Sequence, residues 1–251
     1  MQILRSPDPD FGPPVYGARG QIGLLVPANN SVIEPEFWSV LPHDIAVYAT
    51  RLLVKGNLTP DVIRRMESLV ANAAETIAAT GVGVTAYCDM VTTFIMEPGW
   101  NEEAVAKIAA DTGIKTISAW TALRESLDAL SVRRFALLTP YPAAIHATAR
   151  PFFESRGYKL TGDITLDILA VREVPTVGRL RIEHVIERLD VSGADALVIL
   201  ATDLPTFKLI TELEQKFDRP VLTSNQTLLW SAIRKLGQYD KIESLGKLFS
   251  V

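Results

Sequence analysis

Gly23-Leu24-Leu25-Val26-Pro27 and Ala136-Leu137-Leu138-Thr139-Pro140 are two copies of one pattern, set 113 residues apart (24 to 137). A short apolar run closed by proline reads as a strand covered on both faces, the kind that builds parallel sheets. The echo continues downstream. Tyr87-Cys88-Asp89-Met90-Val91-Thr92 returns as Ala201-Thr202-Asp203-Leu204-Pro205-Thr206, now 114 residues apart (89 to 203). Thr116-Ile117-Ser118 returns as Val221-Leu222-Thr223, and each leads into a helical pattern (Ala122-Leu123, Thr227-Leu228). Three landmarks in one order at a nearly constant offset describe a duplicated unit.

Between the landmarks, β-branched runs alternate with helical spacing, so the units are βα repeats around largely parallel sheets. Strands are expected at 22–26, 45–53, 83–87, 115–118, 135–139, 164–171, 196–200 and 221–223. One helix is expected to start with Thr59 as N-cap and Pro60 in its first position, and to run through Val62, Met66, Leu69, Val70, Ala73 and Ile77 to Gly81. Others are expected at 102–111, 122–130, 143–156, 178–189, 207–217 and 227–236. The fold class is α/β: two pseudo-symmetric halves with mostly parallel sheets flanked by helices. The halves are expected over 21–119 plus 225–251 and over 120–224, behind an extended arm at 1–20. In open parallel sheets ligands bind beyond the carboxyl ends of the strands. The site is therefore expected in the cleft between the halves.

The chain has 251 residues, 48% of them hydrophobic and 22% charged, which suits a packed core rather than a disordered segment. Twenty-five basic and twenty-nine acidic side chains leave a net charge of −4, which argues against nucleic acid or an anionic membrane as partner. One cysteine excludes an internal disulfide and a thiolate cluster, and the three histidines lack ligand spacing, so no metal is expected. Residues 1–20 hold four prolines and no long apolar run, unlike a leader peptide or a membrane span. A cytoplasmic location follows as the default. Gly81-Val82-Gly83 precedes a strand, the wrong context for a phosphate loop. Trp38, Trp100, Trp120 and Trp230 read as core or interface residues, and His146 as a solvated surface residue. An apolar composition with an extended arm points to a homo-oligomer.

Asp89 and Asp203 fall at equivalent strand ends, facing one cleft. Two converging carboxylates repel when both are ionised, so one is held protonated as an acid while the other serves as a base. The competing reading is an N-cap, since Asp before a helix accepts backbone N–H groups. Thr92, Thr93, Thr202, Ser224 and Asn225 sit near the cleft mouth, as helix caps or as donors to a substrate oxygen.

These motifs resemble the aspartate/glutamate racemase superfamily, nearest its maleate cis–trans isomerase and arylmalonate decarboxylase branch. The resemblance runs from Gln21 to Leu236. It rests on Val26-Pro27-Ala28-Asn29-Asn30 with Glu34-Pro35-Glu36, on Ala86-Tyr87 through Pro98-Gly99, and on Leu138-Thr139-Pro140-Tyr141. Asp195-Ala196-Leu197-Val198-Ile199 and Arg219-Pro220-Val221-Leu222-Thr223-Ser224 complete it. It implies a cofactor-independent enzyme that moves a proton at carbon in a small (di)carboxylic acid, as isomerase, racemase or decarboxylase. It further implies that Asn30 and Tyr141, with Asn29, Thr93, Thr202 and Ser224 close by, hold the substrate carboxylate.

The positions at which the family carries its two cysteines hold Asp89 and Ala201 in this chain, with Cys88 one residue away as the catalytic group in a shifted register. Val171 stands where the isomerases use an asparagine. The residues alone leave two further readings open: a carboxylate-binding protein without turnover, and a lyase or hydrolase using an Asp base.

Overall fold

The computed structural model describes residue 12 and residues 14–251. The expected arm at 1–20 lies mostly outside the described residues. In chain order the first repeat contains β1 (Gly20–Pro27), α1 (Ile33–Trp38), β2 (Ile45–Leu52), α2 (Pro60–Glu67), α3 (Val70–Ala78), β3 (Val84–Tyr87), α4 (Thr92–Ile95), α5 (Trp100–Thr112), β4 (Lys115–Ser118) and α6 (Ala119–Ala129). The second contains β5 (Arg134–Thr139), α7 (Ala143–His146), α8 (Ala149–Glu154), β6 (Lys159–Thr165), α9 (Arg179–Ile186), β7 (Ala196–Ile199), α10 (Ile210–Phe217), β8 (Val221–Thr223) and α11 (Ser224–Lys235).

The duplication is real in three dimensions. Each half is a four-stranded parallel sheet, ordered β2-β1-β3-β4 in one and β6-β5-β7-β8 in the other. The two central strands pair alike, Leu24 with Ala86 and Leu137 with Val198. Their apolar runs, Ile22 to Val26 and Phe135 to Leu138, are buried, as strands covered on both faces require. The last strand of each sheet ends in a reciprocal capping box, Ser118 with Thr121 on α6 and Thr223 with Gln226 on α11. Those two helices pack on each other, and α11 also touches β3 and β4. Gly23 admits α3 to β1: a Cβ there would lie 2.8 Å from Ile77 Cγ1 and 2.9 Å from Val82 Cγ2.

An aromatic cluster joins α6 of the first repeat to α8 of the second around Trp120, which is fully buried. Its ring meets Phe152 and Phe153 of α8 edge-on at 4.9 and 5.8 Å, and its Nε1 donates to Glu102 of α5 at 2.9 Å. A buried indole packs best this way, with ring edges on ring faces and its one N–H satisfied.

Three expectations are corrected. The helix expected from Thr59 to Gly81 is two helices broken at Ser68-Leu69, although Thr59 caps α2 through its side chain as expected. The helix expected over 143–156 breaks at 147–148, because Pro151 has no N–H to give the Ala147 carbonyl. The strand expected at 164–171 lies earlier, at 159–165. Asp167 takes a left-handed φ of +53°, and the Thr165 hydroxyl, which accepts from its N–H at 3.0 Å, turns the chain out of the sheet.

The turned segment then crosses to the first half. Asn57 and Ala170 form an antiparallel bridge, and Leu58 N donates to Leu169 O at 2.8 Å. Backbone from both halves thus closes one side of the cleft. No helix among the described residues is long and apolar enough to cross a membrane.

Candidate active site

Beyond the ends of β1, β3, β5 and β7 lies a cavity with about 40 Å³ of room. Asn29, Asp89, Tyr141, Thr202 and Asp203 supply its polar wall, and side chains such as Leu58, Ile63, Met66, Ile168 and Val171 supply the apolar one. Both aspartates of the repeat therefore meet in one space.

Asp89 follows β3 and is buried. Its Oδ1 accepts the Thr92 backbone N–H at 2.8 Å and the Thr92 hydroxyl, so it starts α4 as well as lining the cavity. The same carboxylate that begins the turn also faces the cavity. Burial pushes its pKa up, while the Thr92 donors pull it down.

Asp203 follows β7 and accepts from Asn29 Nδ2 at 3.0 Å. Burial, and next the charge of Asp89, push its carboxyl up to about 7. Its chain enters through Ala201 at φ +106°, a backbone shape that L-residues rarely adopt. The Ala201 N–H is held by Ser224 Oγ at 3.0 Å. The strained turn lets Thr202 and Asp203 both reach the cavity wall.

Tyr141 is buried, and its hydroxyl makes no hydrogen bond to other described residues. Burial and the charges of Asp89 and Asp203 raise its pKa well above the ordinary phenol value, so it remains a neutral donor. Asn29 uses its amide to orient Asp203 and to donate to Val171 O at 3.1 Å.

Of the remaining expected residues, Thr202 lines the cavity, and Asn30, Thr93, Ser224 and Cys88 lie behind its wall. Asn30 caps α1, accepting from Val32 N and Ile33 N, and its amide donates to Thr202 Oγ1 at 3.2 Å. Thr202 then donates to Cys88 O at 2.8 Å, clasping the two halves across the cavity floor. Thr93 accepts from Asn101 and donates to Met90 Sδ, and it does not line the cavity itself. Cys88 is fully buried, and its thiol donates to Ala86 O at 3.2 Å. Burial and the charges of Glu34 and Asp89 raise its pKa well above the ordinary thiol value, and it does not line the cavity. His146 is buried rather than solvated, held between Thr139 Oγ1 at 2.8 Å and Asp163 Oδ1 at 3.1 Å.

Three further residues support the site, and of these only Glu67 went unmarked in the sequence. Glu36 accepts from Thr206 N, Phe207 N and Asn225 Nδ2, so one carboxylate of the first half anchors the loop behind Asp203. Asn225 also donates to Thr202 O at 2.9 Å. Glu67 of α2 reaches Tyr87 at the end of β3, a contact across 20 residues that no local pattern announces. Among the described residues no group of three or more His, Cys, Asp or Glu is arranged to hold a metal ion.

The arylmalonate decarboxylase family profile matches residues 22–249. The chain is 24% identical to the maleate isomerase of Geobacillus stearothermophilus over 243 residues, 92% of this chain and 97% of that protein. It is 24% identical to the arylmalonate decarboxylase of Bordetella bronchiseptica over 231 residues, 91% and 95% of the two chains. A mutant of the Nocardia farcinica maleate cis–trans isomerase, solved with a covalently bound succinylcysteine intermediate, superposes with a TM-score of 0.86 at 26% identity. That superposition covers 92% of this chain and 98% of the isomerase. The two-half α/β architecture is the one these relatives share, and isomerase or decarboxylase is the enzyme class. The chain belongs to the arylmalonate decarboxylase family, within the maleate isomerase and decarboxylase branch of the aspartate/glutamate racemase superfamily.

Proposed function

We propose that this enzyme transfers protons at a carbon next to a carboxylate in a small organic acid, as a racemase or decarboxylase, with an aspartate pair as acid and base. The observation that carries the reading is the meeting of Asp89 and Asp203 in one cavity from equivalent strand ends. Asp89, solvated by the two Thr92 donors, is the carboxylate that takes a proton. Asp203, with its pKa raised to about 7, is the acid that gives one. The Tyr141 hydroxyl is the donor for the substrate carboxylate and for the charge that develops on it as an enediolate. No cofactor enters this scheme.

Thiolate addition to a double bond, the chemistry that the succinylcysteine of the Nocardia enzyme displays, has no group to perform it here. The chain's one thiol is turned into the core against Ala86 O. Proton transfer by carboxylates needs no thiol.

The test is turnover in deuterium oxide with an arylmalonate, an α-aryl monocarboxylate of one hand, and maleate. Proton NMR is expected to show deuterium entering at the carbon next to the carboxylate, with loss of carbon dioxide from the malonate or loss of optical purity in the monocarboxylate. Binding of these acids with no deuterium at carbon and no carbon dioxide would show a carboxylate-binding protein instead.

A further inference from the structure

The cavity is narrow and largely apolar, so an acid seated in it separates Asp89 from water on the cleft side. A second route leaves Asp89 from behind. Thr92 Oγ1, which donates to Asp89 Oδ1, lies 3.1 Å from the Tyr87 hydroxyl, and that hydroxyl is hydrogen-bonded in turn to Glu67 Oε1. Thr92 and Tyr87 are fully buried, whereas Glu67 is half-buried and lines an open groove between α2, α3 and α5. The chain of hydroxyls thus runs from the cavity to the opposite surface with no gap longer than a hydrogen bond.

We propose that Asp89 exchanges protons with solvent through the hydroxyls of Thr92 and Tyr87 and the carboxyl of Glu67. In one state Glu67 is protonated and donates to Tyr87, Tyr87 donates to Thr92, and Thr92 donates to the Asp89 carboxylate. A single shift of three protons leaves Glu67 ionised and Asp89 protonated, with each hydroxyl keeping one hydrogen and its neighbours reversed. No oxidant or reductant is needed, and net charge is conserved along the chain. The Glu67 carboxylate then takes its proton from water in the groove. Run backwards, the same shift discharges a proton that Asp89 has removed from carbon.

Glu67 is matched to that task. Burial, opposed by its Tyr87 bond, and the charge of Asp89 place its pKa at about 8, so it gains and loses a proton near neutrality. The charged groups sharing its groove are Arg64 on α2, Glu75 on α3, and Glu103, Lys107 and Asp111 on α5; Asp89 faces it from the inner end.

This inference rests on Asp89 being the acid–base group, and its test reads the Asp89 proton directly, without turnover. The protein carries ¹³C-carboxyl aspartate and is saturated with benzoate, which has no hydrogen at the carbon next to its carboxylate; a rapid drop from high to low pH is followed by infrared absorption, with the Asp89 band identified by its loss in Asp89→Asn. In Tyr87→Phe and Glu67→Gln the protonation rate of Asp89 is expected to fall about tenfold or more, while its final extent is unchanged. A residue that only shapes the site would move the extent and not the rate. Unchanged rates in both variants would overturn the relay. A slow Tyr87→Phe beside an unaffected Glu67→Gln would overturn Glu67 as its outer end. Glu67→Gln, at a half-buried position, keeps the test available should Tyr87→Phe not fold. Failure of the deuterium test with intact relay kinetics would count against the proposed reaction alone.

Discussion

Asp89→Asn is expected to lower kcat by ~10²–10⁴-fold, the usual contribution of a positioned acid or base, while leaving the folded state intact. The asparagine carbonyl oxygen still accepts the Thr92 N–H that begins α4, so the turn after β3 keeps its cap. What is lost is the ability to hold a proton. Asp89→Ala makes the contrast, because it removes the proton carrier and the cap together and costs about 1 kcal/mol more in stability. If Asp89 were a helix cap and nothing else, the alanine variant would lose stability and the asparagine variant would keep its rate. Steady-state kinetics and urea unfolding of the two variants separate these outcomes. A kcat within twofold of the parent in Asp89→Asn would remove Asp89 from the mechanism.

Trp120→Ala is expected to destabilise the protein by ~3–5 kcal/mol, the range for deleting a fully buried aromatic side chain. The loss is set by position as much as by size. Trp120 belongs to α6, joins α5 through Glu102, and packs edge-on against Phe152 and Phe153 of α8. Its removal opens a hole where α6 packs on α8, and the neighbouring rings, themselves packed on Phe94 and Phe135, cannot close it without moving the site. Chemical denaturation reads the change. A cost below ~1 kcal/mol would mean that the surrounding rings close over the vacated space.

Repetition made the fold legible. A strand covered on both faces must be apolar throughout, so Leu24-Leu25-Val26 and Leu137-Leu138 mark the two sheet centres without help from tertiary context. The paired Asp89 and Asp203 were legible for the same reason, as one position written twice. What the sequence hid depends on contacts between distant segments. Nothing local says that Thr165 turns the chain out of β6, that Asn30 spends its side chain on α1 and Thr202, or that His146 is enclosed by Thr139 and Asp163. Cys88 is a case of direction rather than position. It sits next to a cavity residue, yet alternation past the strand end turns its thiol to Ala86 O and the core.

The central claim is that Asp89 and Asp203 share one enclosed space and sense each other's charge. Carbon-13 NMR of the Asp203 carboxyl, titrated in the parent protein and in Asp89→Asn, tests it most directly. The account predicts an apparent pKa near 7 in the parent, from burial and from the Asp89 charge, and a lower one once that charge is gone. An Asp203 that titrates as an ordinary carboxylate in the parent, or at the same pH in both proteins, would contradict it.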